Sequence, residues 1–275
     1  MNKLWSDLVH RSTSYHKRRF TTTLSFTKIM TPLVILHEIQ KLKTSGKDCS
    51  SNKFCKVLIN DQFVVKTDIK LLKKRFKETH LNLKSTHKGH VGILGEALNT
   101  LIAKDLNFPG HILLGLSYHH IKCETSLLFK KLDKQPIIES IKLTHTDSEK
   151  ILLKCFSFLD KSLEKKFFHG DTNLGNIFLN DDLSSGYFID FELAMPFKCD
   201  HNTALTIQIA NMRTSLLDNI ISRDDFHLLA KKYMKRKHPF FRDFEPLFKL
   251  FYKVKLNKDL RKKRINIISG RELNN

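Results

Sequence analysis

The sequence predicts an α+β protein of two lobes. A small, mostly antiparallel sheet with a helix is expected in residues 31–132, and a mostly helical lobe in residues 133–275, after a basic arm over residues 1–30. Three observations predict this. Short apolar, strand-like segments joined by polar turns crowd the first half of the chain. Apolar residues at helical spacing dominate from Ser148 onward. A polar break near Phe129–Lys134 separates the two patterns.

The opening stretch, MNKLWSDLVHRSTSYHKRRF, is basic and has no apolar h-region. It is read as an arm, not a secretory signal. Val34–Leu42 reads as a strand, and KTSGKDCSSNK after it as a polar loop. FCKVLIN and QFVVKTD read as two strands, with a tight turn at Asn60-Asp61. LLKKRFKETHLNLK has a basic helical look. In HVGILGEALNTLIAKDLNFPG, Leu94, Leu98, Leu101 and Ile102 share a helix face, and Asn107 with Pro109-Gly110 ends the helix. ILLGLSYHH and TSLLFKKLD read as a further strand pair. In the second lobe, Leu152, Leu153, Phe156, Leu159 and Leu163 line one face of a helix over Ser148–Lys165, and the chain from Thr203 reads as helices.

Composition excludes several classes. No apolar run approaches the roughly 18 residues of a membrane span. Cys49, Cys55, Cys123, Cys155 and Cys199 show no CxxC and no His-paired spacing, which argues against zinc or a disulfide framework and fits a reducing cytosol. The formal charge of +20 implies an anionic partner. Residues 231–275 hold 15 Lys/Arg against 4 Asp/Glu, a net of +11. The aromatics there, among them Tyr233, Phe244, Phe248 and Phe251, have the spacing of an amphipathic helix. They are not placed like base-stacking platforms, so nucleic acid is the disfavoured partner.

One stretch concentrates chemistry. In FFHGDTNLGNIFLNDDLSSGYFIDFE, Phe167–Glu192, the residues His169, Asp171, Asn176 and Asp190 are hemmed in by apolar neighbours. Two short buried strands with polar residues at their ends would produce this pattern, joined by a turn at Asp181–Gly186. HGDTNLGN resembles the H-x-D-x-x-x-x-N catalytic loop of the kinase-like phosphotransferases, and FIDFE resembles their D-F-G turn, with Glu192 in place of the glycine.

The resemblance implies a protein-kinase-like fold, ATP and Mg2+ as cofactors, and phosphoryl transfer to an alcohol. Asn176 and Asp190 would supply hard oxygen ligands to the metal. Asp171 would be the catalytic base, and His169 would brace the loop. Lys66, in the apolar strand FVVKTD, would hold the phosphates, with a glutamate to hold it in turn. Glu96 is the preferred partner and Glu78 the alternative. The segment TSGKDCSS (44–51) stands where a phosphate-covering loop belongs, but it has only Gly46; Ser45, Ser50 and Ser51 could donate instead. Asp200 either pins the catalytic loop or caps a helix.

HGD in place of HRD resembles the small-molecule branch, the aminoglycoside and choline kinases, and DFE resembles the choline kinases. No A-P-E segment follows Asp190. The order FVVKTDIKLLKKRFK, then GEALNTLIAKDLNFPGHILLGL, resembles the lipopolysaccharide-core heptose and Kdo kinases. The expected enzyme is therefore cytoplasmic and acts on a lipopolysaccharide-core sugar or similar glycolipid, peripheral on the inner face of a membrane. A soluble aminoglycoside or choline type of kinase is the alternative. A kinase-like scaffold binding anionic membrane or nucleic acid is the reading from another class.

Overall fold

The structure is a computed structural model that describes residues 3–51, 55–68, 92–122, 124–144, 148–180, 185–212, 220–252 and 258–271. The chain divides into two units. One is Met1–Lys104 with His111–Asp133, and the other is Asp105–Gly110 with Lys134–Asn275.

The first unit is built on a seven-stranded antiparallel sheet. Its strands are β1 (Ser14–Arg18), β2 (Thr21–Ser25), β3 (Lys47–Ser51), β4 (Cys55–Ile59), β5 (Phe63–Asp68), β6 (Leu113–His119) and β7 (Glu124–Lys130). Their order is β1-β2-β6-β7-β5-β4-β3. The β4–β5 turn is set by Asn60, whose Oδ1 accepts from the backbone N–H groups of Gln62 and Phe63. Alternation along each strand sends side chains to two separate cores. Leu58, Val65, Leu114 and Leu128 meet α2 (Pro32–Ser45) through Ile35, Ile39 and Leu42. Leu24, Leu113, Leu116, Leu127 and Phe129 meet α1 (Lys3–Arg11) through Leu8, and α3 (Ile93–Asp105) through Leu94, Ala97, Leu98 and Leu101. Gly115 sits at an irregularity of β6, where a Cβ would lie 2.5 Å from Ile35. The absence of a side chain there lets α2 seat on the sheet.

Two expectations are corrected. Val34–Leu42 is not a strand but the body of α2. Thr31 caps this helix by accepting from the Val34 N–H, and Pro32 opens it. Its buried residues, Ile35, Leu36, Ile39 and Leu42, follow the helical period, and Leu33 and Val34 are exposed. Residues 1–30 are not a plain basic arm: they hold α1, β1 and β2, and β2 pairs with β6. The β-branched threonines of β2 suit a strand although they are polar.

The second unit contains α4 (Ile137–Thr144), α5 (Ser148–Leu163), α6 (His201–Met212), α7 (Arg223–Lys237), α8 (Phe244–Phe251) and α9 (Lys258–Ile268). Its small strands are β8 (Phe167–Phe168), β9 (Ile177–Leu179), β10 (Gly186–Phe188) and β11 (Met195–Pro196). β9 pairs with β10, and β8 with β11. The aromatics of the basic C-terminal region pack inward: Tyr233, Phe244, Phe248 and Phe251 are buried. Phe226 stacks on Phe248 and Tyr252.

Candidate active site

In the first unit, β5 alternates so that Val65 and Thr67 are buried beneath α2, while Val64 and Lys66 face the side covered by α3. Lys66 lies opposite Leu127 of β7. Its Nζ is 2.7 Å from Glu96 Oε2, on the first turn of α3. Glu96 is 1% exposed. The structure therefore brings Lys66 and Glu96 together as a nearly buried ion pair. A buried carboxylate without its cation would be strongly destabilising, so this pair fixes α3 against the sheet. Glu78 and the segment LLKKRFKETHLNLK lie outside the described residues.

In the second unit, the phenylalanines around the motif form a cluster. Phe108 packs on Phe167, Phe188 and Phe191, at centroid distances of 5.2, 5.2 and 6.0 Å. The Pro109 carbonyl accepts from the Phe188 N–H. The segment after α3 thus helps to hold the motif. His169 is fully buried, stacked on Phe188, with Phe191 against its edge. Its Nε2 is 2.9 Å from the Ile189 carbonyl, so that nitrogen carries the proton. Burial pushes His169 below its ordinary pKa, although the carboxylates of Asp171 and Asp190 pull it upward. A neutral ring that braces the loop follows.

The loop itself is hydrogen-bonded throughout. Asn176 Nδ2 donates to the Asp171 carbonyl and to Asp171 Oδ2, each at 3.2 Å. Asn173 Nδ2 donates to Asp171 Oδ1 at 3.1 Å. Asn173 Oδ1 accepts from the Gly175 N–H, and its carbonyl accepts from the Asn176 N–H. The Asn176 carbonyl accepts from the Ile189 N–H, which links the loop to the approach to Asp190. Asp190 has φ 63° and ψ 69°, a left-handed conformation that Asp tolerates better than most residues. The fully buried Phe191 anchors the turn after it. Strained backbone of this kind persists where surrounding structure over-determines it, and it clusters at functional sites.

Gly170, beside Asp171, has a left-handed φ of +84° that glycine adopts without strain, and a Cβ there would sit 2.3 Å from the Leu193 carbonyl oxygen. We expect Gly170→Ala to cost at least about 2 kcal/mol, combining a left-handed L-residue with overpacking. The urea midpoint measures this, and an unchanged midpoint would show that the loop can shift freely.

One sequence expectation is corrected here, and one is decided between its two alternatives. TSGKDCSS is not a loop: Thr44 and Ser45 close α2, the Ser45 hydroxyl donates to the Lys41 carbonyl, and Lys47–Ser51 is β3. Asp200 caps α6, its Oδ1 accepting from the Thr203 N–H at 2.8 Å. The loop is pinned instead by Thr172, whose Oγ1 donates to the Gln208 carbonyl of α6 at 2.6 Å. Arg264, one of the basic C-terminal run, is buried at 8% exposure and donates to Asn211 Oδ1 at 3.2 Å. Sequence reasoning missed Thr172, Gln208 and Arg264 as parts of this region.

A separate group joins three helices. Asp160 Oδ1 is 2.6 Å from His201 Nε2, and Asp160 Oδ2 is 3.2 Å from His238 Nε2 and 3.0 Å from the Tyr233 hydroxyl. Burial alone would raise the Asp160 pKa, but these hydrogen bonds and the His238 charge outweigh it and hold it low. With two imidazoles, the group is poorly suited to magnesium, which takes oxygen ligands.

No family model matches the chain, and no curated protein matches it in sequence. Solved structures do match in fold. WaaP in complex with acyl carrier protein aligns at a TM-score of 0.50 and 11% identity, covering 84% of this chain and 92% of that one. WbdD aligns at a TM-score of 0.45 and 13% identity, covering 83% of this chain and 47% of that one. A co-crystal structure of WbdD with a kinase inhibitor aligns at a TM-score of 0.43 and 16% identity, covering 81% of this chain and 46% of that one. A seven-stranded antiparallel sheet with its helices, a helical second unit, and the likeness to WaaP identify the chain's fold as the two-lobed protein-kinase-like fold.

Proposed function

We propose that this protein is an ATP-dependent O-phosphotransferase acting on a hydroxyl of a lipopolysaccharide-core sugar or a similar glycolipid. The observation that carries this reading is the loop in which Asp171 and Asn176 are bonded to one another and tied through Ile189 to the strained turn at Asp190. Asn176 commits its amide nitrogen to Asp171, which leaves Oδ1 as its donor to a cation. Together with the Asp190 carboxylate, this oxygen set fits Mg2+. When bound, Mg-ATP supplies a phosphoryl group whose charge the metal offsets. Lys66, held by Glu96, would be the residue that holds the nucleotide's phosphates. Asp171, oriented by the amides of Asn173 and Asn176, accepts the hydrogen bond and then the proton of the acceptor hydroxyl.

The glycolipid acceptor rests on the resemblance of the segments around Lys66 and Glu96 to the core-sugar kinases, and on charge. No helix among the described residues is long and apolar enough to cross a membrane. Lys235, Arg236 and Lys237 are exposed at the end of α7, close in sequence to Phe240, which is 94% exposed. Arg261, Lys262 and Lys263 are exposed on α9. Each such cation contributes on the order of 1 kcal/mol of attraction at an anionic surface. An exposed Phe adds an apolar contact.

Labelled ATP with Mg2+ and a panel of core oligosaccharides, choline and aminoglycosides tests the acceptor. Transfer to the core oligosaccharides is expected, and transfer to choline or an aminoglycoside alone would overturn the glycolipid assignment. Co-sedimentation with vesicles tests the surface. Binding to anionic vesicles should fall as salt rises, because exposed charges act over a Debye length of about 8–10 Å. Replacing the six exposed cations with Gln should cut it further. Equal, salt-independent binding to neutral and anionic vesicles would contradict the assignment. Tight RNA binding without vesicle binding would favour the scaffold reading.

A further inference from the structure

Arg264 is buried in a run whose neighbours, Arg261, Lys262 and Lys263, face solvent. A guanidinium has five N–H donors and stays charged. Here one hydrogen bond is present, from Nη1 to Asn211 Oδ1, and among the described residues no carboxylate forms an ion pair with it. Buried charges are ordinarily paired, because a lone one is costly. Burial lowers the Arg264 pKa, the nearby Asp171 carboxylate raises it, and Arg261 lowers it further.

The hydrogen bonds lead from Arg264 to the loop. Asn211 lies three residues after Gln208, on the same face of α6. The Gln208 carbonyl holds Thr172, the residue after Asp171. The Gln208 side chain is fully buried, and among the described residues neither of its amide atoms has a hydrogen-bond partner. Native interiors leave few such groups unsatisfied. An amide short of partners therefore lies on α6, which is bonded to the loop that holds Asp171, and a cation short of an anion is bonded to that same helix through Asn211.

We propose that Arg264 binds an anionic substituent of the acceptor, a carboxylate or a phosphate monoester carried near the hydroxyl that is phosphorylated. This rests on the phosphotransferase reading and narrows its substrate class to acidic sugars. The planar guanidinium matches either anion with two parallel hydrogen bonds. Arg264 also offsets the repulsion that such an acceptor would meet from Asp171. Together with Arg261, it disfavours polycationic acceptors.

Two measurements on the full chain test this. The first is steady-state kinetics with a glycoside of an acidic sugar and with its carboxyl-reduced counterpart. The second is calorimetric binding of inorganic phosphate and of glucuronate, with the nucleotide site filled by a non-hydrolysable ATP analogue and Mg2+. The wild type is expected to prefer the acidic glycoside, and Arg264→Gln to raise its KM at least about tenfold and erase the preference, the scale of a lost charge-assisted contact. Arg264→Lys, which keeps the charge but loses the fork, is expected to weaken anion binding at least about threefold. It decides the matter if Arg264→Gln does not fold. Calorimetry separates the two anions: phosphate binding alone assigns a phosphate monoester, and glucuronate binding alone a carboxylate. Neither anion binding, or a preference that survives in both variants, overturns the proposal. An equal fall in kcat for both glycosides with KM unchanged also overturns it, since Arg264 would then act only through Asp171. If the wild type transfers phosphate to no acceptor, the phosphotransferase reading fails, while calorimetry still judges Arg264.

Discussion

Asp190→Ala is expected to abolish phosphoryl transfer and Mg-dependent nucleotide binding together. The carboxylate is the one charged oxygen donor in the proposed metal set, and Asn176 alone offers a single neutral oxygen. The backbone adds to the effect. Asp190 occupies a left-handed conformation at φ 63°, which alanine tolerates less well. Asp190→Asn separates the two contributions: it keeps an oxygen and the tolerance for that conformation but removes the charge. Turnover and nucleotide affinity, each with and without Mg2+, report the outcome. Full activity in Asp190→Ala would place the metal site elsewhere.

Asp171→Asn should leave ATP affinity nearly unchanged while kcat falls at least about a hundredfold, the usual scale for a lost general base. The loop should survive the change. Asn173 and Asn176 donate to the two Asp171 oxygens, and the carboxamide can keep one of these contacts. His169 cannot take over as base, because it is buried, its Nε2–H is committed to the Ile189 carbonyl, and its ring is held against Phe188. A large rise in the KM for ATP with kcat unchanged would remove Asp171 from the role of base.

Much of this site was legible because its residues are local in sequence. His169, Asp171, Asn176 and Asp190 fall within one short stretch, and apolar flanks mark the strands that hold them. Lys66 stood out as a lone cation in an apolar strand, and Glu96 as an acid on the better of two candidate helices. The illegible parts depend on long-range contacts. Val34–Leu42 is apolar enough for a strand, and only the burial of Ile35, Ile39 and Leu42 against the sheet shows the helical period. The N-terminal hairpin is basic and polar, so nothing in its composition announces that β2 pairs with β6. Arg264 sits among exposed cations in sequence, and its burial follows from how α9 packs on α6. Asp200 had two local possibilities, and the helix that begins at His201 took its side chain as a cap.

Phosphorus NMR of the purified protein with ATP, Mg2+ and a core oligosaccharide reads phosphoryl transfer itself. The γ-phosphate signal of ATP is expected to decline as an acceptor-linked phosphate monoester signal grows in step, and Asp171→Asn to slow both. Unchanged ATP, or ATP converted only to ADP and inorganic phosphate with every acceptor on the panel, would contradict the proposed transfer.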